Sequence, residues 1–358
     1  MRDERWEHGS DFAYPEVSAG GERARWLPSG ASLWHSGRDA LRALVRALRP
    51  RRALFPSFYC QDVLEAAERE GVEVRAYADG PDDPDVDPRA LALGAGDLLV
   101  VANVYGIRRA PPPRALPDGV TLVEDHTHDP LSEWARASAA DFAFASLRKW
   151  LPLADGAVLW SPAQRPTIEP GAFDPSAHAR AAAITLDRLT GMLLKQRYLA
   201  GEPVSKDAYR ARSVAGEGAI GRGEPAPMSP LSRALLDVLP VGAWRAERAQ
   251  NHRAFAAALG QLRRARLLTA RDDERVVPFA AVLCVDDAET RDALRARLVE
   301  ERIYPAVLWP IDGARAPGIP AAHVELARRV VCLHCDHRYD VRDMERVAGV
   351  VRRALEDA

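Results

Sequence analysis

The sequence is poor in lysine. Of its 49 basic residues only Lys149, Lys195 and Lys206 are lysines, and the rest are arginines. Arginine stays protonated and forms no imine with a carbonyl, so chemistry that needs a primary amine has three candidates. Cysteine is also scarce, with four in 358 residues. That excludes a disulfide scaffold and fits a reducing cytoplasm. No apolar run approaches the ~20 residues needed to cross a bilayer. The opening Met-Arg-Asp-Glu-Arg-Trp puts acids where a secretory signal carries its apolar stretch. A formal charge of −2 gives no electrostatic ground for nucleic acid or an anionic membrane as partner. A soluble, cytoplasmic protein is expected.

What is present suffices for a large core. Apolar residues make up 47% and charged residues 28% of the chain, outside the range of disordered sequences. The length suits two domains, or one large α/β unit with an appendage. Residues 1–30 are rich in Gly, Pro and charge, with no sustained period, and read as an irregular arm. From Ser36, an N-cap, the apolar residues Ala40, Leu41, Leu44, Val45 and Leu48 follow helical spacing. Short apolar runs then alternate with helical stretches. Strands are expected at Arg51–Tyr59, Val72–Tyr77, Asp97–Val104, Val120–Glu124, Asp141–Ser146 and Gly156–Trp160, with one helix around Val63–Ala67. An acidic, Pro-rich loop is expected at 79–88, and a second loop, with three consecutive prolines, at Arg108–Gly119. This alternation predicts a mainly parallel sheet of about seven strands covered on both faces.

Residues 161–230 read as two helices and a Gly/Pro-rich active-site or interface loop, Gly216–Pro230. A helical region is expected from Leu231 through Trp244 to about Leu268. Strand Val276–Val285, helix Glu289–Glu300, strand Val330–Leu333 and helix Val341–Leu355 complete a smaller α/β unit. The division is an arm at 1–35, a large domain at 36–235 and a small C-terminal domain at 236–358.

Three segments carry candidate chemistry. Thr121-Leu-Val-Glu-Asp125 ends a predicted parallel strand in an acid, at the edge where open α/β sheets bind ligands; a helix cap is the plainer role for the same acid. Phe144-Ala-Ser-Leu-Arg-Lys149-Trp150 sets one of the scarce lysines beside a strand end among bulky apolar groups, a setting for a Schiff base. Lys195 and Lys206 lie in charged helical surroundings and read as solvated. Ser36-Gly-Arg-Asp-Ala40 opens a helix whose free N–H groups suit a phosphate, although Ser36-x-x-Asp39 also resembles a capping box. An acid, a lysine and an anion-binding turn are what pyridoxal 5′-phosphate (PLP) requires: a hold on the aldehyde, a carboxylate for the pyridine nitrogen and a seat for the phosphate. Cys332-Leu-His-Cys335-Asp-His337 offers potential zinc ligands, but a second pair is missing and strand alternation splits them between faces. No metal is expected there or at His126, His128 and Asp129. Trp309-Pro310 and Tyr304 read most simply as small-domain packing, with a substrate-facing role as the alternative.

These stretches, with Phe55-Pro-Ser-Phe-Tyr-Cys60, Val123-Glu-Asp-His-Thr-His128 and Leu333-His-Cys-Asp-His337, resemble the DegT/StrS sugar-aminotransferase type of fold-type I PLP-dependent enzymes. The resemblance covers residues 36 to about 350. It implies a fold-type I α/β architecture, a large PLP-binding domain with a mainly parallel sheet between helices plus a small C-terminal α/β domain, and a homodimer. By that likeness Lys149 holds the cofactor's aldehyde and Asp125 faces the pyridine nitrogen. His128 stands where the family usually has a glutamine near the phenolic oxygen. Ser146 and the backbone of Gly37 and Arg38 take the phosphate, and Tyr59 or Cys60 lies over the ring. The implied reaction moves an amino group from a small-molecule donor to a keto acceptor, a keto-sugar or related compound of glycan or secondary-metabolite biosynthesis. A lyase, dehydratase or decarboxylase acting on an amino acid remains open, as does a non-catalytic relative. Three departures separate the chain from the family pattern. Ser146 and Lys149 stand closer together than is usual, the glycine-rich turn after the lysine is reduced to Ala154-Asp-Gly-Ala157, and no Asn-Tyr-Arg signature occurs in 216–232.

Overall fold

The computed structural model describes residues 5–16, 26–83, 87–88, 91–109, 115–170, 174–269, 273 and 275–356. Part of the predicted arm, of the acidic loop at 79–88 and of the loop at 108–119, including its three prolines, therefore lies outside the described residues.

The chain opens with β1 (His8–Gly9), β2 (Ser32–Trp34), α1 (Gly37–Leu48), β3 (Arg52–Pro56), α2 (Gln61–Glu68) and β4 (Glu73–Tyr77). It continues through β5 (Asp97–Ala102), β6 (Thr121–Asp125), α3 (Glu133–Ala137), β7 (Phe142–Ser146) and β8 (Ala157–Trp160). Strands β2 to β8 form one seven-stranded sheet in the order β2-β8-β7-β6-β5-β3-β4. Strands β3 to β7 pair in parallel, and only β8 runs against its neighbours. β5 is buried along its whole length, as expected of a strand covered on both faces. Its run Asp-Leu-Leu-Val-Val-Ala therefore shows no polar alternation.

Next come α4 (Pro175–Leu199), α5 (Lys206–Ala219), α6 (Pro230–Leu236) and α7 (Val241–Leu259). The C-terminal part adds β9 (Ala265–Leu267), β10 (Ala280–Val285), α8 (Ala288–Glu300), β11 (Ile303–Tyr304), α9 (Ala321–Arg329), β12 (Val330–His334) and α10 (Val341–Glu356). Here β12, β10 and β9 make a small antiparallel sheet. Phe255, Leu283, Leu333, Met344 and Val351 pack it against α7 and α10 in a core of its own. The architecture is the expected one, a large mainly parallel α/β layer structure with a smaller C-terminal α/β unit.

Several expectations are corrected. The predicted arm carries two strands: β2 is an edge strand of the large sheet, and β1 pairs in parallel with β11. The expected loop Gly216–Pro230 begins only after Ala219, where α5 ends. The helical region to Leu268 is two helices separated at Pro240, and the second stops at Gly260. The strand expected from Val276 starts at Ala280.

Lys195 is not solvated, and Lys206 is half-buried. Lys195 is 3% exposed, and its Nζ lies 2.8 Å from Glu7. Lys206 pairs with the same carboxylate at 2.6 Å. Both cations are committed to one buried acid, which removes them as free amines.

Candidate active site

Strands β3, β5, β6 and β7 all point their C-terminal ends at one cavity, the position that ligands take in open parallel sheets. The cavity wall includes Gly37, Arg38, Tyr59, Cys60, Asp125, His128, Ser146 and Lys149. Every candidate site residue of the sequence thus reaches one space, joined by Thr127, Arg148, Glu217, Phe279 and Trp309.

Asp125 closes β6 and is 7% exposed. Its Oδ1 accepts the Thr127 N–H at 2.8 Å, an Asx turn made by the strand end itself. Its Oδ2 accepts the Tyr59 hydroxyl. Burial raises its pKa, while the bonds from Thr127 and Tyr59 work against that rise. A cation against this carboxylate would offset the cost of burying it.

His128 is held in one protonation form. The Tyr105 N–H donates to Nδ1 at 2.8 Å. A backbone N–H can only donate, so Nδ1 accepts and the ring proton sits on Nε2. Burial, aided by the charges of Lys149 and Arg248, pushes the pKa down to about 3. The ring stacks on Phe279 with centroids 4.5 Å apart and faces Trp309 at 5.4 Å. Tyr105, which supplies the bond, adopts φ 56°, a sparsely populated backbone state for a bulky residue.

The start of α1 is capped within the chain. Ser36 caps it, accepting from Asp39 N–H at 3.2 Å and donating its hydroxyl to the Asp39 carboxylate at 2.8 Å. The N–H of Ala40 goes to Ser36 O. The amides of Gly37 and Arg38 are left without an acceptor among the described residues, two donors at the positive end of a twelve-residue helix. Gly37 allows this end to approach Ser146 closely, for a Cβ there would lie 3.2 Å from Ser146 Cβ. Ser146 is fixed in turn by its N–H to Thr127 Oγ1 at 3.0 Å.

Lys149 ends the 3-10 turn Leu147–Lys149 that follows β7. Its side chain lines the cavity and keeps 39% of its surface accessible. Burial and then Arg148 lower its amine pKa, and Glu217 opposes them. The nearest carboxylate, Glu217 Oε1, is 3.8 Å away, a looser contact than either of the other lysines makes. Glu217 itself is gripped by Arg148 at 2.5 and 3.0 Å and by Arg188 at 3.0 Å. That cluster holds its carboxylate far below the usual range, against the effect of burial.

Tyr59 and Cys60 both face the cavity, but they differ in kind. The Tyr59 hydroxyl is spent on Asp125, whereas Cys60 is a free thiol whose pKa burial raises. Thr127 and Phe279 were not singled out in the sequence, whereas Glu217 falls in the segment read as an active-site or interface loop and Trp309 had a substrate-facing role as its alternative. The His-Cys segment is structural: Asp336 chelates Arg338 at 2.7 Å through two nitrogens, and Arg338 bonds Ser10 O at 2.9 Å. Among the described residues no group of three or more ligating side chains could hold a metal ion. No helix among them is long and apolar enough to cross a membrane.

The fold is similar to that of several solved aminotransferases. PseC of Helicobacter pylori, an aminotransferase involved in the biosynthesis of pseudoaminic acid, superimposes with a TM-score of 0.63 at 10% identity, over 99% of this chain and 100% of that one. DesV of S. venezuelae, solved in complex with a ketimine intermediate, gives 0.62 at 19%, over 93% and 88%. A Streptococcus pneumoniae protein described as a sugar aminotransferase, in its PLP form, gives 0.60 at 12%, over 95% and 93%. No family model matches the chain, and no curated protein matches it in sequence.

Proposed function

We propose that the chain is a PLP-dependent aminotransferase acting on a sugar-like or related small keto substrate. The observation that carries this reading is the meeting of Lys149, Asp125 and a neutral His128 on one cavity. The donor set fits the cofactor at each of its polar points. Lys149 is the amine that holds it, and Asp125 keeps a proton on the ring nitrogen. His128 offers Nε2–H to the phenolic oxygen, the donation a glutamine amide would make. The Gly37 and Arg38 amides and Ser146 seat the phosphate. Bound there, PLP supplies an exchangeable carbonyl and a protonated ring that withdraws electrons.

The protein's own work is positional and acid–base. The lowered pKa of Lys149 keeps a fraction of the amine neutral, so that it can take a proton from the substrate carbon and return it. Glu217 sets how far that pKa falls. Asp125, gripped by Tyr59 and Thr127, keeps its place while holding the ring proton. Trp309 and Phe279 fix the His128 ring and exclude water beside it.

The other fold-type I reactions on amino acids need the same residues, but nothing in the cavity favours them. A homodimer accords with the exposed Leu186, Leu193 and Val214 on the α4–α5 hairpin, which also carries Glu217. The cytoplasm suits a chain whose four cysteines are free.

The test is absorption spectroscopy of the purified protein with added PLP. A visible band that borohydride abolishes, and that Lys149→Ala lacks, is the expected result. An identical band in Lys149→Ala would remove this lysine from the reading. Turnover of an amino donor only in the presence of a keto acceptor would separate transfer from single-substrate chemistry.

A further inference from the structure

β5 leaves the large sheet through a short turn, Val104–Gly106, that meets the His128 ring. Tyr105 sits at its centre, fully buried, at φ 56° and ψ 10°. Left-handed backbone is sparsely populated for a bulky residue, so its surroundings must hold it there. Gly106 follows at φ 71°. A Cβ on that glycine would lie 2.8 Å from Val277 O and 3.1 Å from His128 O. The turn is thus wedged between the segment of His128 and the C-terminal unit.

Every polar group of Tyr105 is committed. Its N–H donates to His128 Nδ1 at 2.8 Å, and its carbonyl accepts the Phe279 N–H at 2.7 Å. Its hydroxyl donates to Leu308 O. The ring lies nearly parallel to those of His128 and Trp309, with centroids 5.9 and 6.2 Å away. Phe279, Leu308 and Trp309 all belong to the C-terminal unit. The easiest relief of a positive φ is a flip of the preceding peptide plane, which moves φ of Tyr105 and ψ of Val104 together. That flip would take the N–H away from Nδ1 and offer it the Val104 carbonyl instead. An acceptor there draws the ring proton onto Nδ1 and leaves Nε2 bare.

We infer that Tyr105 is a positioning residue for His128: the C-terminal unit holds it left-handed, and that conformation, not the bulk of its side chain, keeps the ring proton on Nε2. The inference rests on the amino-transfer reading for the use of that proton, and on the turn alone for its geometry. His128 lines the same cavity as Lys149. By docking on Tyr105, the C-terminal unit therefore decides whether that cavity is offered a donor or an acceptor.

Nitrogen NMR of the full-length, histidine-labelled protein, with and without PLP, reads which ring nitrogen carries the proton. The His128 signals are those lost in His128→Gln, and the unmodified protein is expected to show the Nε2–H form. Tyr105→Val resists a positive φ, whereas Tyr105→Gly adopts it freely. The Nδ1-protonated fraction should rise about tenfold in Tyr105→Val, the worth of one hydrogen bond, and less than about twofold in Tyr105→Gly. Valine keeps more of the buried contact than glycine, so a packing role gives the opposite order. Tyr105→Phe, which loses only the bond to Leu308, should show a rise of about threefold. Equal fractions in the valine and glycine variants, the reverse order, or no rise in Tyr105→Phe overturns the inference. So does a Tyr105→Gly that does not fold beside a folded Tyr105→Val. Should Tyr105→Val not fold, Tyr105→Ala, which also resists a positive φ, takes its place. The predicted order without a visible PLP band that borohydride abolishes would sink the amino-transfer reading and leave this inference standing. The band without the order would do the reverse.

Discussion

The Tyr59 hydroxyl donates to Asp125 Oδ2 and the Thr127 amide to Oδ1, so the acid that closes β6 is held by two donors, one on each oxygen. The tyrosine beside the cavity is therefore a positioning residue for the carboxylate.

Tyr59→Phe tests that relationship. The hydroxyl lowers the Asp125 pKa against the effect of burial, so its loss raises that pKa further. If catalysis requires ionised Asp125, the acidic limb of the kcat/KM profile must move to higher pH, and stability at pH 8 should fall by about 1–3 kcal/mol. An acidic limb that does not move would contradict the assignment.

His128→Gln separates charge from hydrogen bonding. The folded pKa of about 3 lies below the ordinary value of 6.5. Protons therefore bind the unfolded chain first, and stability is lost as pH falls from about 6.5 toward 3. Between pH 7 and pH 5 this group alone accounts for about 2 kcal/mol. Urea unfolding of His128→Gln should show a smaller acid loss by roughly that amount, with activity largely kept. His128→Leu should share the flatter pH dependence but lose activity. Equal acid losses in variant and parent would refute the depressed pKa.

Glu217→Gln removes the charge that raises the Lys149 amine pKa. That pKa should fall, so the pH midpoint for PLP capture should shift to lower pH. Arg148 and Arg188 also lose their shared carboxylate, and a drop in melting temperature is expected. A midpoint moving upward would reverse the proposed sign.

Gly37→Ala places a methyl 3.2 Å from Ser146 Cβ. Ser146 must give by a few tenths of an ångström to admit it, which offsets alanine's helix preference and leaves global stability little changed. Phosphate seating should nevertheless suffer, with PLP affinity falling about tenfold, near 1.4 kcal/mol. Unchanged affinity would show that the helix start has room to spare.

The parts of the fold legible in the sequence were those with sustained pattern. β5 and β7 are almost wholly apolar because both faces of the sheet are covered, β6 sets Leu122 and Val123 before its two terminal acids, and α10 has a clear apolar stripe. β1 and β11 are two-residue strands, and β9 has three. Runs that short carry no period.

The lysine, the acid and the helix start were legible because scarce or strand-terminal residues stand out locally. Glu217 lies in the segment read as an active-site or interface loop, but its helical setting was missed because Gly216 and Gly218 flank it. Gly216 is in fact helical, and its missing side chain makes room for Arg188 where α4 meets α5. Phe279 and Trp309 come from distant segments, and only tertiary packing brings them to the cavity. Lys195 and Lys206 were misread because Glu7, their common partner, lies in a segment without periodicity.

The central claim is that one of three lysines holds the cofactor. Borohydride reduction of the PLP-treated protein, followed by proteolysis and mass spectrometry of the peptides, tests it directly. The account predicts a pyridoxyl adduct on the Lys149 peptide and none on those of Lys195 and Lys206. An adduct confined to either of the latter, or no adduct on any lysine, would contradict it.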